Sequence, residues 1–435
     1  MKRTMSLSLT LALTTLGSSA RAGNEEGVLF GSVAGMAAGA VTAITEDGCA
    51  LWYNPAGLVG ADTQQLDVSG TAYVFRRSSA PDLIRIPGQP SVAGDVTELM
   101  SVSASLTYAR RVSDTLTLGV GIFTPRSSDQ TLRATAQVPG EVRWLLTSSD
   151  LESEIQAGVG LGWSPTPQLR VGAALFFAYE SDSGAFVGQV TQGAGPAPDQ
   201  FANAAALYSY KRAGLELALG LQWRPIDALR VGVTVRPPGA NVYASETSDV
   251  SASAALRDAM GALQSEASSV VNDTSSFEFT QRTPLRVRVG VALVRPRFTV
   301  SLDGDLATPL TPSDPDDRAW SLHWNLRLGG IVKLNDRLQF GAGVFTDRAP
   351  SRDPARHPTD FYGGTVGVEW GTLHLLRDAR RDRLTFSTSL SARYAYGAGT
   401  TAAIQTVAGS VDSTDAVASL DVHELAIYLG SSFRF

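Results

Sequence analysis

The chain has 435 residues, a formal net charge of −6, one cysteine and four histidines. So small a net charge does not favour a nucleic-acid partner, and a single cysteine excludes an internal disulfide. The histidines never pair at ligand spacing, so we expect no metal site and no cofactor.

Residues 1–22 have the pattern of a secretory signal peptide. Lys2 and Arg3 give a basic start, an apolar run follows, and Ala20-Arg21-Ala22 forms a small-x-small cleavage site. An uncleaved membrane anchor is the alternative, but the apolar run is shorter than the ~20 residues that a spanning helix needs. We therefore expect an exported protein whose mature chain begins at Gly23.

The next segment, residues 23–62, is rich in glycine and carries a short aromatic motif. Glycine recurs every fourth residue from Gly27 to Gly39. This spacing is compatible with a membrane helix, but Gly, Ala, Ser and Thr gain little in hydrocarbon, so it favours a short helix packed closely on other backbone. The motif Trp52-Tyr53-Asn54-Pro55-Ala56-Gly57 predicts a turn.

From residue 63 onwards, apolar residues alternate with small or polar ones. Residues 116–123, 215–223, 229–236 and 423–435 all follow this period of two, which predicts strands with one apolar face. A soluble sandwich also alternates, but the apolar faces are nearly continuous here, and tryptophans lie near predicted strand ends. These features are typical of strands that face lipid on one side and a wet lumen on the other.

The predicted connections alternate between short and long. Six short turns and seven long loops give about 14 strands. The short turns fall at residues 111–114, 164–168, 224–227, 295–297, 335–336 and 371–382, and the long loops at 78–100, 127–149, 181–211, 237–280, 309–320, 349–360 and 397–420. An even count places both termini on one side, the periplasm. The sequence predicts an all-β fold, a transmembrane antiparallel β-barrel over residues 63–435.

Several motifs resemble the FadL family of outer-membrane transporters for long-chain fatty acids and other hydrophobic compounds. They are the glycine-rich N-terminal segment, the Asn54-Pro55-Ala56 motif, the Gly-x-Gly-x-Phe-x-Pro pattern of residues 119–125 and the C-terminal Ser432-Phe433-Arg434-Phe435. Gly48-Cys49 departs from the family, which usually has small residues without sulfur there. The resemblance implies a mostly helical plug in the lumen, formed by residues 23–62.

The resemblance also implies particular functional residues. Asn54, Pro55 and Ala56 would belong to a plug that moves, although a purely structural turn is the alternative. Gly119, Gly121 and Pro125 would kink the third strand and open the wall sideways, although Pro125 could instead end that strand. Two long loops, predicted to be helical, would form an outer hydrophobic groove, or else pack on their own barrel. Their apolar residues are Phe201, Tyr208, Leu256, Met260 and Leu263.

Three aromatic residues break the small or polar pattern of the inward face. Phe123, Phe176 and Phe345 lie at similar distances from their short turns, and at ~3.3 Å per residue they reach a similar height. We expect them to form an apolar collar on the substrate path. Packing against the plug or the loops is the alternative.

Enzyme activity has no support in the sequence. A Gly-x-Ser-x-Gly motif is absent, and the four histidines lack sequence partners for a catalytic triad. The favoured function is passive transport of a hydrophobic small molecule. A general porin, a structural or adhesive barrel and an exporter remain alternatives. Expected partners are outer-membrane lipid, lipopolysaccharide and the barrel assembly machinery, with the protein as a monomer and no nucleic acid.

Overall fold

The computed structural model describes most of the chain from residue 28 onwards. The described ranges are 28–85, 90–100, 104–138, 142–192, 200–257, 263–277, 279–311, 319–352, 358–371, 385–407, 410–412 and 416–435. The predicted signal peptide, residues 1–22, lies outside them, so it stays a prediction.

In the ranges given above, twenty strand segments form one sheet, most of which is the wall of the molecule. They are β1 Gln64–Arg85, β2 Val92–Met100, β3 Ala104–Arg111, β4 Leu116–Val138, β5 Val142–Thr166, β6 Leu169–Gln192, β7 Gln200–Ile226, β8 Leu229–Arg236, β9 Ala240–Arg257, β10 Leu263–Ser276, β11 Thr280–Gln281, β12 Arg286–Val294, β13 Phe298–Ala307, β14 His323–Asn335, β15 Leu338–Asp347, β16 Thr359–Gly371, β17 Thr385–Ala402, β18 Ile404–Val407, β19 Ser410–Asp412 and β20 Val417–Arg434.

Eighteen of these segments make a closed antiparallel barrel of 14 wall strands, as predicted, whereas β18 and β19 pair with each other and β18 also pairs in parallel with β1. β2 and β3 form the second wall strand, β8 and β9 the seventh, and β10 to β12 the eighth, because each group pairs with the same neighbours. Closure joins β1 to β20, from Gln65↔Arg434 to Ser79↔Asp421. Closure leaves no long unpaired edge, which hydrocarbon would not tolerate.

The two faces of the wall differ as the alternation predicts. In β4, for example, Leu118, Val120 and Ile122 point outwards and are about half exposed, whereas Thr117 and Phe123 point inwards and are buried. A belt of apolar side chains on the outside of a closed barrel is stable only against hydrocarbon. Within the described part of the chain, no helix is both long and apolar enough to cross a membrane.

The long connections are mostly strand rather than loop. β4 and β5 remain paired as far as Val138↔Val142, and β6 and β7 as far as Gln192↔Gln200. The prediction of loops over residues 127–149 and 181–211 is therefore wrong in the described residues. At 23 to 27 residues, these four strands exceed the ~9–11 residues that cross a bilayer, so the wall extends well beyond the membrane.

The prediction of helices in the third and fourth long loops is also wrong. Residues 200–212 belong to β7. Ala202, Ala204 and Ala206 are buried at a period of two, whereas Leu207 on the opposite face is exposed. In the fourth loop, β9 and β10 form a hairpin with the pair Arg257↔Leu263. Leu256 and Leu263 therefore lie on the two paired strands of a hairpin and not on one face of a helix.

Candidate functional site

Residues 28–61, here called the N-terminal segment, lie inside the barrel. They contain α1 (Ser32–Met36), α2 (Ala50–Tyr53) and a 3₁₀-helix (Pro55–Gly60). α1 ends where Ala38 and Gly39 adopt positive φ angles, 53° and 77°, a backbone conformation that stops a helix. The segment is less helical than predicted, but nearly all of its apolar side chains are buried.

Inward-facing glycines of the wall provide the seat for this segment. A Cβ atom on any of them would collide with the segment, for example with the backbone of Pro55 and Ala56 at Gly172 or with Ala37 at Gly329. The glycines in this seat are Gly119, Gly160, Gly162, Gly172, Gly220, Gly232, Gly290, Gly329, Gly341, Gly343 and Gly367. They lie in the halves of the strands nearest the short turns. We predicted these positions to be a wet lumen, and glycine at alternate strand positions was the available signal for a packed one.

The Asn54-Pro55-Ala56 motif forms a turn that is bonded to the wall. Asn54 is fully buried; its Oδ1 accepts a hydrogen bond from the Ala56 N–H (3.2 Å) and caps the 3₁₀-helix. Its Nδ2 donates to the carbonyl oxygens of Thr42 (2.8 Å) and Leu221 (3.0 Å), the latter in β7. The turn therefore has a structural role: it caps the 3₁₀-helix and anchors the segment to β7.

Charged side chains of the wall hold the segment at several further points. The carboxylate of Glu46 contacts Arg170 (2.7 Å), Arg230 (3.0 Å) and Arg224 near the short turns. Burial by itself would raise the pKa of Glu46, but the three guanidinium groups hold it below its usual value. The N–H and hydroxyl of Thr42 donate to Asp303 (2.9 and 2.7 Å). Sequence analysis did not find these pairs, because their partners lie far apart in the chain.

A second anchor carries two carboxyl groups. The Gly48 N–H donates to Asp67 of β1 (2.8 Å), and Asp47 lies beside it. Burial, together with the neighbouring charge of Asp67, raises the pKa of Asp47 to about 7. The same burial, with the charges of Asp47 and Asp67, raises the pKa of Cys49 well above its usual value, so that its thiol stays protonated and unreactive.

Two of the three inward phenylalanines come together, and the third lies elsewhere. Phe123 and Phe176 form a cluster with Phe30 and Trp52 of the N-terminal segment, with ring centroids 5.1 to 6.0 Å apart. Phe345 belongs to a different apolar cluster, where the guanidinium of Arg393 lies 4.4 Å from its ring centre. A single collar of three rings is not present; Phe123 and Phe176 pack on the segment instead.

The third wall strand is bent at Pro125 but does not end there. Its ladder with β5 shifts between Phe123 and Arg126, so that Thr124 and Pro125 form a bulge, and β4 then continues to Val138. Below the bulge, Gly119 lies against Leu58 of the segment, and Gly121 lies against the Phe123 ring. On the other side, the β3–β4 ladder stops at Ser105↔Phe123, and the described residues show no ladder between β2 and β4.

A small cavity of about 50 Å³ lies beside this bulge and above the aromatic cluster. Its walls combine aromatic and proline side chains with paired charges. Arg126 contacts Glu154 (2.8 Å), Arg286 contacts Asp305 (2.8 Å), and Arg236 lies over the Trp52 ring (4.4 Å). The lining residues are Trp52, Pro125, Arg126, Glu154, Gln156, Glu216, Arg236, Thr283, Pro284, Arg286, Ala307 and Trp320.

The predicted outer groove residues lie on strands. Phe201 is half-buried in β7, and the Tyr208 hydroxyl donates to Asp150 of β5 (2.6 Å). Leu256 lies in β9 opposite Gln264, and Leu263 begins β10; Met260 lies outside the described residues. Farther from the short turns, Leu83, Ile84 and Phe186 contribute to an apolar cluster inside the barrel.

Comparisons with known proteins agree on the architecture. No protein-family model matches the chain. Over 95 residues the chain is 33% identical to the putative outer membrane protein NMB0088 of Neisseria meningitidis serogroup B, a match that spans 21% of the chain and 20% of that protein. Similar solved structures include a FadL homologue of Pseudomonas aeruginosa, with a TM-score of 0.62 and 11% identity over 94% of this chain and 99% of that one.

Two hydrocarbon transporters are also similar in structure. The toluene transporter TodX of P. putida has a TM-score of 0.62 at 14% identity, covering 94% of this chain and 99% of that chain. The toluene transporter TbuX of Ralstonia pickettii has a TM-score of 0.56 at 12% identity, covering 94% and 98%. The chain has the FadL-family fold. This fold explains the barrel, and the function depends on the residues inside it.

Proposed function

We propose that this protein is an outer-membrane transporter through which hydrophobic small molecules, long-chain fatty acids first among them, cross passively. One observation carries the proposal: the lumen is filled by the N-terminal segment, and the wall is interrupted at Pro125, beside the cavity above that segment. A filled lumen disfavours a porin for hydrophilic solutes. A wall interruption at the level of the outer apolar belt offers a hydrophobic ligand a way into the bilayer without crossing water.

The proposed path begins at the ends of the long strands. Apolar side chains inside the outer part of the barrel, among them Phe186 and Phe361, would receive the ligand. It would pass to the cavity beside Trp52 and Phe123, where rings and prolines provide apolar contact. Asn54, Pro55 and Ala56 would shift with the N-terminal segment, and the bulge of Gly119 to Pro125 would form the lateral exit.

The cellular setting follows from the same proposal. Residues 1–22 direct export, residues 23–62 form the plug and residues 63–435 the barrel, which the barrel assembly machinery inserts into the outer membrane. The short turns and both termini face the periplasm, and the long hairpins meet lipopolysaccharide outside. The transporter acts as a monomer and is not an enzyme.

Uptake of a fatty acid by cells that carry the protein as their sole transporter of this type tests the proposal. Restoring a regular strand with Pro125→Val should lower uptake, because the new N–H can complete the ladder. Pro167→Val, at an exposed position in the short turn between β5 and β6, would be compared at equal surface abundance for a general effect of proline loss. In planar bilayers the wild-type protein should carry little ion current. A large steady current would mean a porin, and uptake unchanged by deletion of the protein would mean a structural barrel.

A further inference from the structure

A second interruption of the wall lies between the seventh and eighth wall strands. The ladder between β9 and β11 ends at Ala240↔Gln281, and the ladder between β8 and β12 starts at Arg236↔Arg286. Residues 237–239 and 282–285 lie between them, and we call this part of the wall the window. It contains Pro237, Pro238 and Pro284, which have no N–H to give to a ladder and are rare in central strands.

Few hydrogen bonds close the window. The Arg282 N–H donates to the Gly239 carbonyl (2.7 Å), and the Gly239 N–H donates to the side chain of Thr283 (3.0 Å). On the opposite side, the Leu285 carbonyl accepts a bond from the Thr308 N–H (3.0 Å), next to β13. Residues 282–285 are thus tied to the seventh wall strand by one backbone bond and one bond to a side chain, and to the ninth by the Thr308–Leu285 bond, in place of a continuous ladder.

The window opens from the same cavity as the bulge of the third wall strand. Thr283 and Pro284 line the cavity together with Pro125 and Trp52. A ligand that widened this small cavity on its way through the lumen would have two interruptions of the wall within reach. The cavity joins them at the top of the N-terminal segment, whose Trp52 forms part of the lining.

The outside of the window faces hydrocarbon. Leu215 and Leu306, on the flanking strands, are 40% and 45% exposed, and Pro238 is exposed between them. Arg236, at the lower edge of the window, is the eighth residue of β8. At ~3.3 Å per residue along a tilted strand, this height is still within the apolar belt of a barrel. A ligand leaving here would enter lipid rather than water.

An ion-pair cluster holds the window shut. The guanidinium of Arg282 is nearly buried and contacts Glu154 of β5, Glu180 of β6 (3.5 Å) and Glu216 of β7 (3.2 Å). The cluster fastens the upper edge of the window to three consecutive wall strands. Without this cluster, two hydrogen bonds would still join the edges of the window at Gly239: one to the Arg282 N–H and one to the Thr283 hydroxyl.

We infer that the window of residues 237–239 and 282–285 is a second lateral exit, which releases hydrophobic ligand from the cavity into the bilayer when Arg282 leaves its three carboxylates. The inference rests on the proposed transport function and adds a second route to it. The bulge at Pro125 and the window would then work in parallel from one cavity.

A reversible cross-link tests this exit. In a Cys49→Ser background, Gly239→Cys with Thr283→Cys should close the window as a disulfide, because a Cβ at Gly239 would lie 2.7 Å from the Thr283 hydroxyl. The matched control is Val233→Cys with Val289→Cys, a directly opposed pair in the intact ladder below. Uptake of a fatty acid into cells is measured oxidised and after reduction.

The expected result is a partial loss of uptake with the window cross-linked, recovery after reduction, and no loss in the control pair. Adding Pro125→Val to the window cross-link should abolish most of the remaining uptake. Equal uptake in the oxidised and reduced window variant would overturn the second exit, and so would an equal loss in the control pair. If the reduced variant and the wild type both fail to carry the fatty acid, it is the transport function that fails.

Labelling supplies an independent measurement. A photoreactive fatty acid should label residues 282–285 in the wild type. Arg282→Lys should increase that labelling, because the compact ammonium of lysine lacks the planar guanidinium with which arginine contacts three carboxylates. Labelling confined to the bulge around Pro125 in both proteins would contradict the inference.

Discussion

At the scale of single residues, buried polar groups decide how firmly the N-terminal segment is held. The side chain of Asn54 caps the 3₁₀-helix and also donates hydrogen bonds to two carbonyl oxygens, one of them in the wall. One side chain therefore both shapes the turn and anchors it. Two carboxylates add to this anchoring: Glu46 of the segment contacts arginines of the wall, and Asp303 of the wall accepts hydrogen bonds from the segment. These polar contacts add to the apolar contacts of the segment, whose buried side chains form one cluster with inward residues of the wall such as Phe123 and Phe176.

Asp47 makes the docking of the segment dependent on pH. Burial and the charge of Asp67 raise its pKa from the usual 3.8 to about 7, with Arg434 acting in the opposite sense. Between pH 3.8 and about 7, Asp47 is protonated in the packed segment but ionised in the released segment. The contribution of Asp47 to the free energy of docking is therefore greatest below pH 4, falls as pH rises towards 7 and then levels off, with each pKa unit corresponding to about 1.4 kcal/mol.

Protease protection of the segment should accordingly be weaker at pH 8 than at pH 5. Asp47→Asn should remove most of this difference and keep the segment protected at pH 8. Asp62→Asn, at an exposed residue near Arg434, is the matched control and should retain it. An Asp47→Asn protein with the wild-type pH dependence would contradict this assignment.

At the scale of elements, alternation in the sequence predicts the wall but not what fills it. Each outer face, such as that of Leu118, Val120 and Ile122, must be apolar because it contacts lipid, so it can be recognised from neighbouring residues in the sequence. The seat at Gly172 and the Glu46 cluster depend on contacts more than 100 residues apart, which periodicity does not encode. The hairpins beyond the membrane were missed because polar and Ala-rich strands lack the lipid-facing alternation. The prediction of one aromatic collar failed because Phe345 packs with its own neighbours.

The glycine seat makes a specific prediction. Gly172→Leu places a side chain where the backbone of Pro55 and Ala56 lies, so it should displace the 3₁₀-helix while the barrel still assembles. The expected result is a larger ion current in planar bilayers with an unchanged heat-resistant barrel on gels. Gly330→Leu is the control, because a Cβ there meets no atom closer than 3.9 Å. A current like that of the wild type in Gly172→Leu would show that this contact does not keep the segment in place.

At the scale of the whole molecule, the wall and the segment have different kinds of stability. The wall is a closed ladder whose opening would expose backbone to lipid, whereas the segment is held by side chains on a smooth glycine surface. Movement therefore belongs to the segment and to the two places where prolines interrupt the ladder. The arrangement separates a rigid frame from the parts that a passing ligand would shift.

Locking the segment to the wall tests whether it must move. Gly35 of α1 and Ser391 of β17 suit a disulfide in a Cys49→Ser background, because a Cβ at Gly35 would lie 3.3 Å from the Ser391 Cβ, close to the ~3.5–4.5 Å of disulfides. If α1 must leave its seat for a ligand to pass, the oxidised protein should lose fatty-acid uptake and regain it on reduction. If uptake survives the lock, the segment is a fixed stopper at α1, and the ligand must leave above it through the wall.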